Sequence, residues 1–345
     1  MRKKKKERNV NTLFLMITVF LFVLLYIVGM VKFGNRGFAK LQVFLNLFNN
    51  NAALILIAIG ETMVIITGGI DISVGTTLGW TCMIVAYSIE FKGMPVWQAF
   101  LLALVTGLVF GIVKGYCVAY LRIQPFIVTL AGQFFAAGAA AMIYQQMVSV
   151  TDELFVKLAN WKWTFPFFGT TNKRGIVTYP SISGSALIAL AAVVIFYLIM
   201  KYSKFGRNLY AVGGNETSAM LMGLNVRRTK FMAYVITSVL AAIGGIAFVL
   251  NTSGASLGQG EGREMNAITA AVLGGTLMTG GVGNVFGTLV GTMVIALIES
   301  LISFQGTLSS WWGKIVIASL MCVFIVLQSL LSAKSQKKKG DTSHV

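Results

Sequence analysis

The chain has 345 residues, of which 56% are hydrophobic and only 11% are charged, whereas an ordinary soluble domain has about 25% charged residues. This composition excludes a soluble globular enzyme and a disordered protein, because both need much more charge in contact with water. The formal net charge is +17, and the basic residues cluster beside apolar runs, which is typical of membrane flanks rather than of a nucleic-acid surface. The sequence therefore predicts an all-α membrane protein with several spans.

Residues able to perform covalent or metal chemistry are scarce. The one histidine, His344, is the second-last residue, and the cysteines Cys82, Cys117 and Cys322 lie inside apolar runs. A zinc site or a serine or cysteine nucleophile paired with histidine is therefore not expected. No GxxxxGK[ST] segment occurs, so any ATP must be bound by a partner.

About ten spans are predicted, since each needs about 20 apolar residues. Residues 1–12 form a basic segment, and the apolar run 13–31 is interpreted as an uncleaved first span. The other spans are predicted at about 43–66, 73–90, 97–119, 125–146, 184–201, 231–251, 266–282, 284–303 and 311–331. An even number of spans places both termini on one side, and the basic tail 332–345 indicates that this side is the cytoplasm. Residues 13–331 are thus expected to form one transmembrane domain.

Two loops are long enough to have roles of their own. The outer loop, 147–183, carries five aromatic residues that either anchor it in the headgroup region or form a contact surface: Trp161, Trp163, Phe165, Phe167 and Phe168. The cytoplasmic loop, 202–230, has glycine breaks at Gly213–Gly214 and Gly223. Between them the sequence predicts a short helix that Asn215 can cap. A short helix outside the lipid, flanked by glycines, suggests docking against another protein.

The stretch 60–75, GETMVIITGGIDISVG, combines charge, glycine and an apolar run. Asp71 and Ser73 are expected to cap the next span, and the segment is either a tight cytoplasmic hairpin or a broken helix near a translocation path. Glu61 must face protein or water, or be protonated, because a carboxylate at the middle of a span costs about 2.5–3.5 kcal/mol. Lys114 is expected to extend towards the membrane surface.

A second glycine-rich stretch, residues 274–291, shares the triplet TGG with the first, at 279–281 and 67–69. This similarity suggests an internal repeat, as many transporters have. Small residues four apart predict close helix packing; they are Gly107 and Gly111, and Gly283, Gly287 and Gly291.

Four segments together resemble sugar ABC transporter permeases of the ribose, galactose and xylose type. They are residues 60–75, 211–246 and 267–292, and the ending FQGTLSSWWGKIVIASLMCVFIVLQ at 304–328, which looks closest to the galactofuranose-type permease. Glu61 departs from the pattern, because relatives commonly have an uncharged residue there.

The resemblance implies a BtuC-like, type II importer architecture in a bacterial cytoplasmic membrane. The chain would be the permease subunit of an ATP-driven monosaccharide importer, for a galactofuranose-like or a ribose or galactose type of sugar. It would not be an enzyme and would bind no cofactor, since ATP and Mg²⁺ would lie on partner ATPase subunits. A second permease, identical or different, and an extracytoplasmic sugar-binding protein would complete the assembly. The coupling segment within 204–230 would contact the ATPase through Gly213, Gly214, Asn215, Glu216, Ser218, Ala219, Gly223 and Leu224.

A path for a neutral, polyhydroxylated solute needs hydrogen-bonding and aromatic groups and little net charge. The candidate path residues are Asn51, Glu61, Thr67, Asp71, Gln133, Asn251 and Trp311. An alternative is an ion-coupled secondary transporter that uses Glu61 and Asp71. A membrane enzyme or a passive pore is a third class, and it is the least favoured because no cluster of catalytic residues is evident.

Overall fold

The fold is a bundle of helices, described by a computed structural model over residues 2–167, 169–171, 177–309 and 311–340. In chain order the helices are α1 (Arg2–Phe33), α2 (Leu41–Ile66), α3 (Val74–Glu90), α4 (Val96–Ala119), α5 (Pro125–Ile143), α6 (Glu153–Asn160), α7 (Gly184–Tyr202), α8 (Lys204–Gly214), α9 (Glu216–Leu221), α10 (Val226–Thr252), α11 (Arg263–Leu273), α12 (Val285–Gln305) and α13 (Trp311–Gly340). A 3-10 turn at Gly34–Arg36 follows α1. The prediction of an all-helical membrane protein is confirmed by this arrangement.

Six very short strands form three antiparallel pairs near the predicted outer loop. They are β1 (Val148–Ser149) with β6 (Gly254–Ala255), β2 (Lys162–Thr164) with β5 (Ser181–Ser183), and β3 (Thr170–Thr171) with β4 (Val177–Thr178). In the first pair Val148 lies opposite Ala255. Among the aromatic residues of this loop, Trp161, Trp163 and Phe167 are exposed, whereas Phe168 lies outside the described residues.

Within the described residues, eight helices are long and apolar enough to cross a membrane: α1, α2, α4, α5, α7, α10, α12 and α13. The two other predicted spans correspond to shorter helices, α3 with 17 residues and α11 with 11 residues. The prediction of one continuous span over 266–282 is wrong. The helix α11 ends at Leu273, and Gly275, Gly280 and Gly281 then adopt positive φ angles of 89°, 83° and 76° that form a turn instead.

The helices α2, α10 and α12 form the buried centre of the bundle, while α1, α5 and α13 are mostly exposed on its outside. Glycine allows the closest contacts, as predicted. A Cβ atom on Gly107 of α4 would lie 2.9 Å from the carbonyl oxygen of Ser238 in α10, and a Cβ atom on Gly291 of α12 would overlap the carbonyl oxygen of Ala270 in α11. Close backbone packing therefore joins α4 to α10 and α12 to α11.

Helix α2 is kinked at Asn51, whose φ and ψ angles of −114° and 15° are not helical. The side-chain amide of Asn51 donates a hydrogen bond to the carbonyl oxygen of Leu47, one turn earlier in the helix, at 3.1 Å. Kinks of this kind commonly mark places where helical hydrogen bonds give way to side-chain contacts.

The two glycine-rich segments lie side by side at one end of the bundle. The N–H of Gly281 donates to the carbonyl oxygen of Ile66 at 2.8 Å, and the hydroxyl oxygens of Thr62 and Thr288 lie 2.6 Å apart. The internal repeat remains a prediction, but its two proposed copies are in direct contact. At the termini, α1 and α13 continue into the basic segments; Met1 and residues 341–345, including His344, lie outside the described residues.

Candidate functional site

A buried ion pair anchors the turn between α2 and α3. Lys114 donates through Nζ to Oδ2 of Asp71 at 2.8 Å and to Oγ of Ser73 at 2.6 Å. Ser73 donates to Oδ1 of Asp71 through its N–H at 3.0 Å and through its hydroxyl at 2.6 Å. The Lys114 and Asp71 side chains are only 2% and 0% exposed, so each charge is compensated by the other instead of by water.

Two predictions about these residues are wrong. Ser73 occupies the N-cap position of α3, but its side chain makes no capping hydrogen bond, because its hydroxyl is held between Asp71 and Lys114. Lys114 does not extend to the membrane surface, because the Asp71 carboxylate gives its ammonium group a partner inside the protein.

Glu61 is fully buried and faces protein, which is one of the environments predicted for it. Its Oε1 atom accepts the N–H of Asp71 at 3.1 Å. Among the described residues, Glu61 Oε2 and the Tyr234 hydroxyl have no hydrogen-bond partner, and a Cβ atom on Gly69 would overlap that hydroxyl. Two carboxyl groups and one lysine thus surround a single turn of six residues, Gly68 to Ser73.

The predicted short helix is confirmed as α9. Asn215 caps it, since Oδ1 accepts the Ser218 N–H at 2.7 Å, and the Glu216 carboxylate contacts Lys230 at 2.6 Å. Gly223 ends the segment with a φ angle of 78°, and the N–H of Leu224 then donates to the carbonyl oxygen of Ala219 at 3.1 Å. Helix α8 was not predicted, although Ser203 is a recognisable N-cap, whose hydroxyl oxygen accepts the Gly206 N–H at 3.0 Å.

The tip of this segment is apolar and exposed. Met220, Leu221 and Met222 are 56%, 83% and 67% exposed, while Ala219 is buried against the bundle. Adjacent exposed apolar side chains on a short helix mark an interaction surface. These three residues were not among the predicted contact residues, although their position between Asn215 and Gly223 was a usable signal.

The helix α8 rests on both glycine-rich segments. A Cβ atom on Gly213 would overlap the carbonyl oxygen of Ile66 and would lie 2.5 Å from the N atom of Gly281. Tyr210 donates from its hydroxyl to the carbonyl oxygen of Gly283 at 2.9 Å. Burial, and then the nearby Tyr197, raise the pKa of Tyr210 to about 12, so this group remains a donor at neutral pH. We call this contact among α8, residues 66–68 and residues 280–283 the glycine junction.

Of the remaining predicted path residues, Thr67 lies within the glycine junction, and Gln133, Asn251 and Trp311 lie on three separate helices. Thr67 is buried and bonds the Val64 carbonyl oxygen at 2.7 Å, while Gln133 contacts Oε1 of Glu264 at 3.3 Å. Asn251 lines a small cavity of about 100 Å³. Trp311 is exposed on α13, with the Lys314 ammonium 4.3 Å from its ring centroid. The structure therefore brings Glu61 and Asp71 together but does not unite all seven candidates at one place.

Comparison with known proteins gives a family match over most of the chain. The family model described as branched-chain amino acid transport system, permease component, matches residues 43–325. No solved structure matches the chain significantly.

Named relatives match over nearly their whole length. The chain is 40% identical to the inner membrane ABC transporter permease protein YjfF of Escherichia coli K12, covering 94% of this chain and 95% of the relative. It is 35% identical to the fructose import permease protein FruG of Bifidobacterium longum, covering 93% and 92%. It is 33% identical to the ribose import permease protein RbsC of Escherichia coli K12, covering 92% and 93%.

Proposed function

This chain belongs to the family of branched-chain amino acid transport system permease components, and from that membership together with its sugar-import relatives we propose that it is the membrane subunit of an ATP-driven importer for a monosaccharide. It is an ABC transporter permease and a multi-pass protein of the cytoplasmic membrane. The family description names amino acids, but the relatives are named for fructose and ribose import, which supports a sugar as the solute. The ending at 304–328 supports a galactofuranose-like sugar, with a ribose or galactose type as the other candidate.

The observation that carries the proposal is the glycine junction. The exposed tip of α9 offers apolar side chains to a partner, while α8 touches the last residue of α2, Ile66, and the backbone before α12. A partner ATPase that moves α9 when it binds and hydrolyses ATP would move both glycine-rich segments together, because packed backbone transmits displacement instead of absorbing it. ATP and Mg²⁺ belong in this scheme to the ATPase, and this chain supplies no catalytic group.

The proposed assembly has four kinds of component. With the basic N-terminus in the cytoplasm, α1 ends and α2 begins at the outer face, so the end of α2 and the adjoining α8, α9 and glycine junction lie at the cytoplasmic end, where an ATPase can reach them. The opposite end, with residues 41–51 and 299–305, faces a sugar-binding protein outside. A second permease subunit, identical or different, completes the pathway.

An ion-coupled carrier that uses Glu61 and Asp71 is not favoured. The family is one of permease components, and Asp71 is already neutralised by Lys114 at 2.8 Å. A carboxylate that must bind and release a cation in each cycle needs access to water, whereas both Asp71 and Glu61 are fully buried.

Docking of the ATPase is tested by a charge placed on the tip of α9. We expect Leu221→Asp to reduce co-purification of the co-expressed ATPase about ten-fold or more, because an apolar side chain desolvated at the centre of an interface commonly dominates its affinity. The matched control is Leu308→Asp, since Leu308 is also exposed but lies at the opposite end of the bundle. Equal recovery of ATPase with Leu221→Asp and wild type would contradict docking at α9.

A further inference from the structure

A polar cavity lies between α2 and α12, at the end of the bundle away from the glycine junction. Its volume is about 290 Å³, near the lower end of ligand pockets, which measure about 300–1,000 Å³. From Asn50 to Ile66 the helix α2 extends about 24 Å, so the cavity and the junction are at opposite ends. The polar lining residues are Asn46, Asn50, Asn51, Glu299, Ser300 and Ser303.

Four of these side chains are free to bind a solute. Asn50, Glu299, Ser300 and Ser303 make no hydrogen bond to another described residue, whereas Asn51 bonds the Leu47 carbonyl oxygen. An amide, a carboxylate and two hydroxyls supply both donors and acceptors. Asn50, Glu299 and Ser303 are exposed and Ser300 is half-buried, so a polar solute that enters this end of the bundle can reach all four side chains.

The preceding residue, Asn49, has a structural role in α2 with which Asn50 can be compared. Asn49 accepts the Ser183 N–H at 2.9 Å and donates to the Ser181 carbonyl oxygen at 3.1 Å, which ties α2 to β5. Asn50, the next residue, has no such partner and lines the cavity. The kink at Asn51 interrupts the helical backbone at the same level. Of the three consecutive asparagines, Asn49 therefore joins α2 to β5, Asn50 is left without a hydrogen-bond partner among the described residues, and Asn51 lies at the kink.

The chemistry of the cavity fits a neutral polyhydroxylated solute. Its polar groups are spread along two helices, so several hydroxyls can be bound at once, and Phe304 adds a half-buried aromatic ring. The only ionisable side chain in the lining is Glu299, and the Arg263 guanidinium acts on it electrostatically. A second cavity, of about 850 Å³ and mainly apolar, shares Glu299 and Ser303 with this one, so the polar cavity adjoins a larger space.

We propose that Asn50, Glu299, Ser300 and Ser303 form a sugar-binding subsite in the half of the pathway that receives the solute. This assignment rests on the proposed function of the chain as a sugar permease, and it names residues that determine which sugars pass. A polar group that pairs with a sugar hydroxyl discriminates against an analogue that lacks that hydroxyl.

The test is a double-mutant cycle between protein and sugar in proteoliposomes that contain the complete importer. Uptake of galactofuranose, D-ribose, D-galactose and D-fructose is measured first, and then that of the deoxy analogues of the transported sugar, each at saturating binding protein. Ser303→Ala is compared with Thr292→Val, which removes a hydroxyl from the same helix that bonds only the carbonyl oxygen of Thr288. Asn50→Leu is a second, independent variant.

We expect removal of one particular sugar hydroxyl to slow uptake about five-fold in wild type and in Thr292→Val, but less than about two-fold in Ser303→Ala. Asn50→Leu should lose discrimination at the same or a neighbouring hydroxyl. A general loss of packing would slow all analogues equally. If Ser303→Ala and Asn50→Leu keep every wild-type analogue ratio, the subsite is wrong while the permease function stands. If the wild-type importer transports none of the sugars, the proposed function itself fails, and the subsite fails with it.

Discussion

Replacing Lys114 with methionine is expected to destabilise the protein by about 3–5 kcal/mol, because the substitution leaves the Asp71 carboxylate buried without a counter-charge. Neither side chain has appreciable access to water, and the ammonium group also holds the Ser73 hydroxyl at 2.6 Å. The loss should therefore appear as reduced free energy of unfolding in detergent, measured by denaturant titration, and as reduced yield of folded protein in the membrane.

The paired substitution Asp71→Asn with Lys114→Met is expected to recover most of that stability, since it removes both buried charges together. The matched control is Lys230→Met, which breaks the 2.6 Å contact with Glu216, where the two side chains are 23% and 55% exposed. Exposed ion pairs contribute about 0–1 kcal/mol. If Lys114→Met and Lys230→Met had the same free energy of unfolding, the buried ion pair would not make the expected contribution to stability.

Replacing Gly213 with alanine is expected to reduce ATP-driven uptake by at least about ten-fold, because even one methyl group has no room at the glycine junction. The new Cβ atom would overlap the Ile66 carbonyl oxygen and would lie 2.5 Å from the N atom of Gly281. Both obstacles are backbone atoms, so the contact is relieved only if the glycine-rich segments shift, and overpacking of this kind costs about 1–3 kcal/mol.

The adjacent residue supplies the control for Gly213. No atom lies within 4 Å of a Cβ atom built on Gly214, so Gly214→Ala should keep uptake within about two-fold of wild type. Uptake is compared at equal amounts of protein in the membrane, which separates coupling from insertion. Wild-type uptake by Gly213→Ala would show that the junction does not transmit the motion of α9.

Features set by neighbouring residues were predictable from the sequence. The short helix α9 follows from Asn215 at its start and Gly223 after its end, since capping and a positive φ angle are local requirements. Nine of the ten predicted spans correspond to helices, although α1 begins at Arg2 instead of 13 and α13 ends at Gly340 instead of 331. The remaining one, 266–282, is interrupted because the glycines within 274–281 form a turn. The mean hydropathy of the segment does not reveal that turn.

Features that depend on distant residues were not predictable. Lys114 and Asp71 are 43 positions apart, and no pattern in either helix shows that they meet. The same holds for Gly213, which must be glycine because the backbones of Ile66 and Gly281 leave no room for a Cβ atom. Asn51 was predicted as a path residue, but the cavity that it lines also needs Glu299 and Ser303 from α12. Reading one helix at a time does not show which faces of two helices meet.

As the permease subunit of an ATP-driven importer, this chain should conduct sugar only when a partner ATPase drives it. The most direct measurement is sugar accumulation in proteoliposomes that contain either this chain alone or the chain with its ATPase, second permease and binding protein. Sugar should accumulate in the full assembly with ATP and Mg²⁺, and it should not accumulate with the chain alone under any ion gradient. Accumulation by the isolated chain, or by the full assembly without ATP, would contradict this expectation.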